Sequence, residues 1–151
     1  MSREVHVVAP PPLIFLGALG AGLALEAALP SADVPAAVGV PLGIALVTAG
    51  GALAGSFVRS FRRARTPIAF QRVSHLVTSG PYRVSRNPGY LGMALTVAGI
   101  GALVPAPWVL APLALAVAVV DRGVIAREER YLEQRFGGEY DAYRSRVRRW
   151  I

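Results

Sequence analysis

The stretch AVGVPLGIALVTAGGALAGSFV, from Ala37 to Val58, runs twenty-two residues without a charge. As a helix rising 1.5 Å per residue it spans about 33 Å, close to the hydrocarbon thickness of a bilayer. No soluble helix needs that length of unbroken apolar surface. Three further runs flank it. Pro12 to Leu29 is eighteen residues interrupted by Glu26 alone, Tyr90 to Val104 is fifteen, and Trp108 to Val120 is thirteen with Pro112 inside. The last two fall short of the usual spanning length, so they read either as a re-entrant pair or as helices whose ends continue into polar sequence. Carried through Asp121 and Arg122 to Ala126, the fourth run reaches nineteen residues, with its charges at the rim where arginine snorkels. Pro105-Ala106-Pro107 then breaks a helical hairpin. The reading adopted is an all-α integral membrane fold of four transmembrane helices, at 12–29, 37–58, 90–104 and 108–126. Its third and fourth helices form the hairpin, and amphipathic tail helices follow over 127–151.

Composition leads to the same class. Of 151 residues, 54% are hydrophobic and 17% charged, with a mean hydropathy of +0.47. A soluble domain carries about 25% charged residues, so this chain cannot cover a water-facing surface. It is also too apolar to be disordered. The absence of cysteine removes disulfide scaffolds, thiol nucleophiles and thiolate metal sites. A net charge of +7 raises the question of nucleic acid, but no base-reading module accompanies it.

The charge is placed rather than spread. All sixteen basic residues are arginine: one at Arg3, seven from Arg59 to Arg86, and eight from Arg122 to Arg149. The links between the first and second runs and between the third and fourth contain none. The positive-inside rule therefore predicts that both termini, the 59–89 link and the tail are cytoplasmic, in the cell membrane. A cleaved signal peptide fits the first run poorly, because a charged n-region is missing and Ala28-Leu29-Pro30 is a poor cleavage context. Small residues crowd the end of the second helix, from Ala49 to Gly55, and suit close helix approach, including a homodimer.

The link and the tail carry more than topology. In the link, Thr66-Pro67, Gly80-Pro81 and Asn87-Pro88 are turn signals. Asn87-Pro88 suits the cap and first turn of the third helix. That sets a structured loop against a helix N-terminus, a place for an anion or carboxylate. The tail predicts a helix from about Arg122 to Phe136, a break at Gly137-Gly138, and a second helix from Glu139 to Arg149. Its arginines suit an anionic lipid surface. Tyr140 and Tyr143 are expected to pack the tail, and His6 and Glu26 to be incidental.

Two stretches carry a resemblance. Leu76-Val77-Thr78-Ser79-Gly80-Pro81-Tyr82-Arg83 with Arg86-Asn87-Pro88 and Tyr90-Leu91-Gly92 resembles the first conserved stretch of the isoprenylcysteine carboxyl methyltransferase and phospholipid methyltransferase superfamily. Glu128-Glu129, Leu132, Phe136-Gly137, Tyr140, Tyr143, Val147 and Arg149 resemble the second. They stand in the right order, separated by an apolar hairpin, over about the C-terminal half of the chain. At Asn87 the chain departs from the histidine that many members carry, which weakens transfer of the prenylcysteine substrate.

The resemblance implies an integral membrane methyltransferase that uses S-adenosylmethionine without a Rossmann domain. It implies an acceptor that is a membrane lipid or other hydrophobic small molecule bearing a carboxylate, amine or thiol. By position, His75, Leu76, Val77, Gly80, Tyr82, Arg86, Asn87, Pro88 and Tyr90 form one wall of the cofactor site, and Glu128 and Glu129 close the other. Glu129 and Arg86 are the expected catalytic residues, with Arg135 as a second cation for a carboxylate acceptor. A glutamate pair on a surface helix is ordinarily just solvated; the surrounding pattern is what makes this one a site. Two other readings make different predictions: a nicotinamide-dependent relative of membrane sterol reductases, and a non-catalytic scaffold.

Overall fold

The computed structural model describes residues 10–63 and 75–151, so Arg3, His6 and Thr66-Pro67 lie outside the described residues. All regular structure within them is helical. In chain order it comprises α1 (Pro11–Ala28), α2 (Ala36–Arg63), a 3₁₀ turn (Gly80–Arg83), α3 (Pro88–Leu103), a second 3₁₀ turn (Pro107–Val109), α4 (Leu110–Val119), a π-helical turn (Val120–Ile125), α5 (Ala126–Phe136) and α6 (Gly138–Arg144). Three helical stretches are long and apolar enough to cross a membrane: Pro11–Ala28, Ala36–Arg62 and Pro107–Phe136. Helix α3, also apolar, has sixteen residues.

The first two helices begin and end within a few residues of the charge-free runs, except that α2 continues past Val58 into the arginines. The larger departure is at the C-terminal end. The expected boundary between the fourth helix and the tail does not exist: the chain is helical without a break from Pro107 to Phe136. The π-turn at Val120–Ile125 takes up the junction, inserting an extra residue per turn where Asp121 sits. The second tail helix is also shorter than expected. It ends at Arg144 rather than Arg149: a turn closes on the Tyr143 carbonyl, and the Arg148 and Arg149 carbonyls then bond to the loop before α3.

Helix α2 packs along α3, and α1 packs against α4 and the turn that precedes it. The α2–α3 contact is backbone to backbone. A Cβ on Gly99 would lie 2.8 Å from Val47 N and 2.9 Å from the Gly43 carbonyl, and one on Gly50 would lie 2.7 Å from the Gly92 carbonyl. Among lipid tails, such close approach replaces the hydrophobic drive that holds helices together in water. Gly99→Leu is therefore expected to force α2 and α3 apart and lower the melting temperature of detergent-purified protein by several degrees or more. Overpacking of a tight contact costs about 1–3 kcal/mol. An unchanged melting curve would contradict this packing.

The core collects Phe15 and Ala18 of α1, Tyr90 and Val97 of α3, and Val109, Leu113, Ala116, Val120, Val124 and Ile125 of the long C-terminal rod. Large apolar side chains also face outward, among them Leu13, Leu16, Val38, Leu42, Ile44, Leu110 and Leu115. A soluble monomer does not expose so many; a bilayer requires them. Glu26, read as incidental, has a structural role. Its carboxylate accepts the Trp108 backbone N–H at 3.2 Å, and Trp108 Nε1 donates to the Pro30 carbonyl at 3.0 Å. The pair ties the end of α1 to the start of the rod and satisfies one of that start's free N–H groups.

Candidate functional site

Four element ends meet at one end of the bundle: the start of α1, the end of α2, the start of α3 and the α5 stretch of the rod. They enclose a cavity of about 380 Å³, within the range of small-molecule sites. One wall is apolar and aromatic, from Ala54, Phe57, Val58 and Phe61 of α2 with Pro11 and Pro12. Phe57 and Phe61 lie four residues apart, their ring centroids 4.8 Å from each other, and Tyr82 completes the cluster at 6.4 and 6.3 Å. The polar side chains of the lining include Arg86, Asn87, Tyr90, Glu128, Glu129, Tyr140 and Tyr143.

The charged groups there are ordered by one another. Glu129 and Glu128 are neighbours in the first turn of α5. Arg86 Nη2 lies 3.1 Å from Glu129 Oε1, with side-chain exposures of 11% and 14%. Charges this far from water hold only when paired. Arg86 Nη1 donates to Tyr140 Oη at 3.4 Å, while Arg86 Nε is buried with no hydrogen-bond partner among the described residues. A buried donor left open invites an acceptor from outside the chain. Glu128 takes a different partner: Tyr90 Oη donates to its Oε1 at 2.7 Å. Glu128 lies beyond the apolar part of the rod. Burial pushes its carboxyl up to about 7; the charge on Glu129 adds to the rise, and the Tyr90 hydrogen bond opposes it. Burial likewise holds the Tyr82 and Tyr143 hydroxyls well above the usual phenol range. Tyr143 Oη remains a donor and bonds the Tyr82 carbonyl at 2.7 Å.

Of the residues singled out in the sequence, Leu76, Val77, Tyr82, Arg86, Asn87, Tyr90, Glu128 and Glu129 line this cavity. Four others do not. His75 is exposed. Gly80 opens the 3₁₀ turn with φ +64, a left-handed conformation that glycine adopts without strain. Pro88 is fully buried in the first turn of α3. Arg135 is exposed on α5, its guanidinium 5.8 Å from the Phe136 ring centroid. Asn87 does not cap α3 through its side chain as expected. Its carbonyl accepts the Leu91 N–H, and its side-chain amide donates to the Arg149 carbonyl at 3.0 Å.

Sequence reasoning missed Phe57, Phe61, Met93 and Leu132 of the lining and gave Tyr140 and Tyr143 packing roles only. The one available signal was the Phe57/Phe61 pair, two aromatic rings a helical turn apart closing a helix otherwise without aromatic residues.

Residues 38–139, about two thirds of the chain, match the family model described as phospholipid methyltransferase. Over 69 residues the chain is 41% identical to the cobalt-zinc-cadmium resistance protein CzcN of Cupriavidus metallidurans, a match covering 46% of this chain and 32% of that one. Over 80 residues it is 35% identical to the nickel-cobalt-cadmium resistance protein NccN of Alcaligenes xylosoxydans xylosoxydans, covering 53% and 37%. Against an uncharacterized protein of Haemophilus influenzae the identity is 51% over 35 residues, covering 23% and 56%. The matches to the two resistance proteins thus span about a third of their length. No solved structure matches the chain. With the family model matched from the second helix through the glutamate pair to the start of α6, the chain belongs to the phospholipid methyltransferase family.

Proposed function

We propose that the chain transfers a methyl group from S-adenosylmethionine to a hydrophobic or lipid-like acceptor at the cytoplasmic face of the cell membrane. The observation that carries this reading is a buried charge pair and an aromatic cluster lining one cavity. Arg86 and Glu129 share it with Phe57, Phe61 and Tyr82, and the buried Arg86 Nε lacks an acceptor among the described residues. S-adenosylmethionine supplies a methyl group on a sulfonium together with a carboxylate, an amine and ribose hydroxyls. The residues present suit it. Arg86 neutralises a carboxylate and fills its open Nε, while Glu129 accepts from an amine or hydroxyl. Phe57, Phe61 and Tyr82 offer π-faces to positive charge and apolar surface to an acceptor's tail.

The same geometry favours an amine acceptor over a carboxylate. Among the described residues Arg86 is the one cation in the lining, and it is already committed to Glu129 and Tyr140. Arg135, the other candidate, is elsewhere. An amine must shed a proton to attack, and Glu128 is a base in the cavity without a cation paired to it in the lining. Four spans at 12–29, 37–58, 90–104 and 108–126, with both termini inside, set this end of the bundle toward the cytosol, where the donor is made available. The meeting of the α1 start, the α2 end and the α3 start at the cavity agrees with that threading. The names of the relatives speak of metal resistance and identify no acceptor.

The test is transfer of labelled methyl from S-adenosylmethionine in vesicles that present either aminophospholipid or a lipid carboxylic acid. Label in the amine product is expected; label only in the acid would transfer the base role away from Glu128. A pH profile follows. A carboxyl titrating near 7 is mostly protonated at pH 6 and mostly ionised at pH 8, so the initial rate is expected to rise about tenfold between them. Glu128→Gln is expected to lose a hundredfold or more in rate, on the order found for a removed general base, and to lose the rising limb with it. A Gln variant that keeps the limb would place the titrating group elsewhere.

A further inference from the structure

The chain after α6 folds back onto the bundle as far as Trp150. After α6 the chain turns, with the Arg146 and Val147 N–H groups on the Tyr143 carbonyl, and runs back across the mouth of the α3 loop. The Arg86 backbone N–H donates to the Arg148 carbonyl at 3.0 Å, and the Asn87 side chain donates to the Arg149 carbonyl at 3.0 Å. Ser85 Oγ reaches the same carbonyl at 3.4 Å. Trp150 packs against the core, and its Nε1 donates to Asp121 Oδ1 at 2.9 Å. The segment is therefore fixed at both sides before its one functional side chain is considered.

That side chain is Arg149. Its guanidinium grips Glu129 with two nitrogens, Nε on Oε1 at 3.1 Å and Nη2 on Oε2. The remaining nitrogen, Nη1, donates to both oxygens of Asp121 at 3.3 and 3.1 Å. Asp121 stands in the π-turn, which places it to meet the same guanidinium as Glu129, eight residues on. Hydrogen bonding to Glu129, with the Asp121 charge adding to it, holds the Arg149 guanidinium more firmly charged than usual. Arg149 itself does not line the cavity. Two-nitrogen contact fixes the carboxylate's orientation as well as its charge, which a lysine does not reproduce.

We propose that Arg149 is a positioning residue: held by Asp121 and delivered by the Trp150-anchored C-terminal segment, it sets the Glu129 carboxylate for the cofactor. The inference rests on the methyltransferase reading and adds to it a part of the site outside the cavity. The experiment is a calorimetric titration of the full chain in detergent with S-adenosylhomocysteine, comparing wild type, Arg149→Gln, Glu129→Gln and the double variant at matched melting temperature. Arg149→Gln is expected to weaken binding on the order of tenfold, as for members of one coupled network. It is expected to add nothing in the Glu129→Gln background, and Arg149→Lys is expected to recover only part of the loss. An equal loss in both backgrounds would show that Arg149 acts without Glu129 and would overturn the proposal. Should Glu129→Gln bind too weakly to titrate, Asp121→Asn decides. Its carboxylate bonds Arg149 and Trp150, neither of which lines the cavity, so severalfold weakening supports the relay and unchanged affinity overturns it. Absence of binding by the wild type would instead bring down the methyltransferase reading, and this inference with it.

Discussion

Glu129→Ala is expected to reduce S-adenosylhomocysteine binding below calorimetric detection while the protein remains helical and monodisperse. Two arginines depend on this carboxylate, Arg86 from the α3 loop and Arg149 from the C-terminus. Truncation leaves Arg86, 11% exposed, with the Tyr140 hydroxyl at 3.4 Å as its remaining side-chain partner among the described residues. Breaking one side of a buried pair costs about 3–5 kcal/mol, because a charge stays buried without compensation. That loss falls on the site, since α2–α3 and α1–α4 packing is made by glycines and apolar side chains that Glu129 does not touch. Circular dichroism and size exclusion would separate lost binding from lost fold. Binding at wild-type strength would remove Glu129 from the site and leave the ion cluster a purely structural one.

Arg86→Ala carries the second large effect. It is expected to weaken the cofactor analogue by about 2–4 kcal/mol, the range for truncating one partner of a desolvated charge pair. At tenfold per 1.4 kcal/mol that is about thirty- to a thousandfold in Kd. The backbone bond from Arg86 N–H to the Arg148 carbonyl survives the change, so the C-terminal segment keeps its place and the loss reports the side chain. Arg86→Lys is expected to recover little, because an ammonium cannot contact Glu129, Tyr140 and a ligand carboxylate in one plane. An affinity within twofold of wild type would mean that the open Nε faces no ligand carboxylate.

What the sequence made legible was what local chemistry controls. The apolar runs matched α1 to within a residue at each end and the start of α2, which then continues five residues past its run, and Asn87-Pro88 marked where α3 starts. Leu76, Val77, Tyr82, Arg86, Tyr90, Glu128 and Glu129 came from the pattern of two stretches, and the fold brings all seven to one cavity. The failures have a common cause in tertiary contact. The helix runs through Asp121-Arg122 as expected, but the π-turn there and the pairing of Asp121 with Arg149, twenty-eight residues away, were not legible. Asn87 looked like a cap until the C-terminal segment supplied a carbonyl for its amide. Arg135 shares a helix face with Glu128, seven residues on, but lies about 10 Å further along the axis, past the cavity. Arg149 belonged to the second stretch of the resemblance but had no role there; the fold places it on Glu129.

The ligand of that cavity decides the function. The most direct measurement is calorimetric titration of the detergent-purified full chain with S-adenosylhomocysteine, with a nicotinamide dinucleotide phosphate as the comparison. Micromolar binding of the first and none of the second is the predicted result. Binding of the nicotinamide compound alone, or of neither by protein shown to be folded, would contradict it.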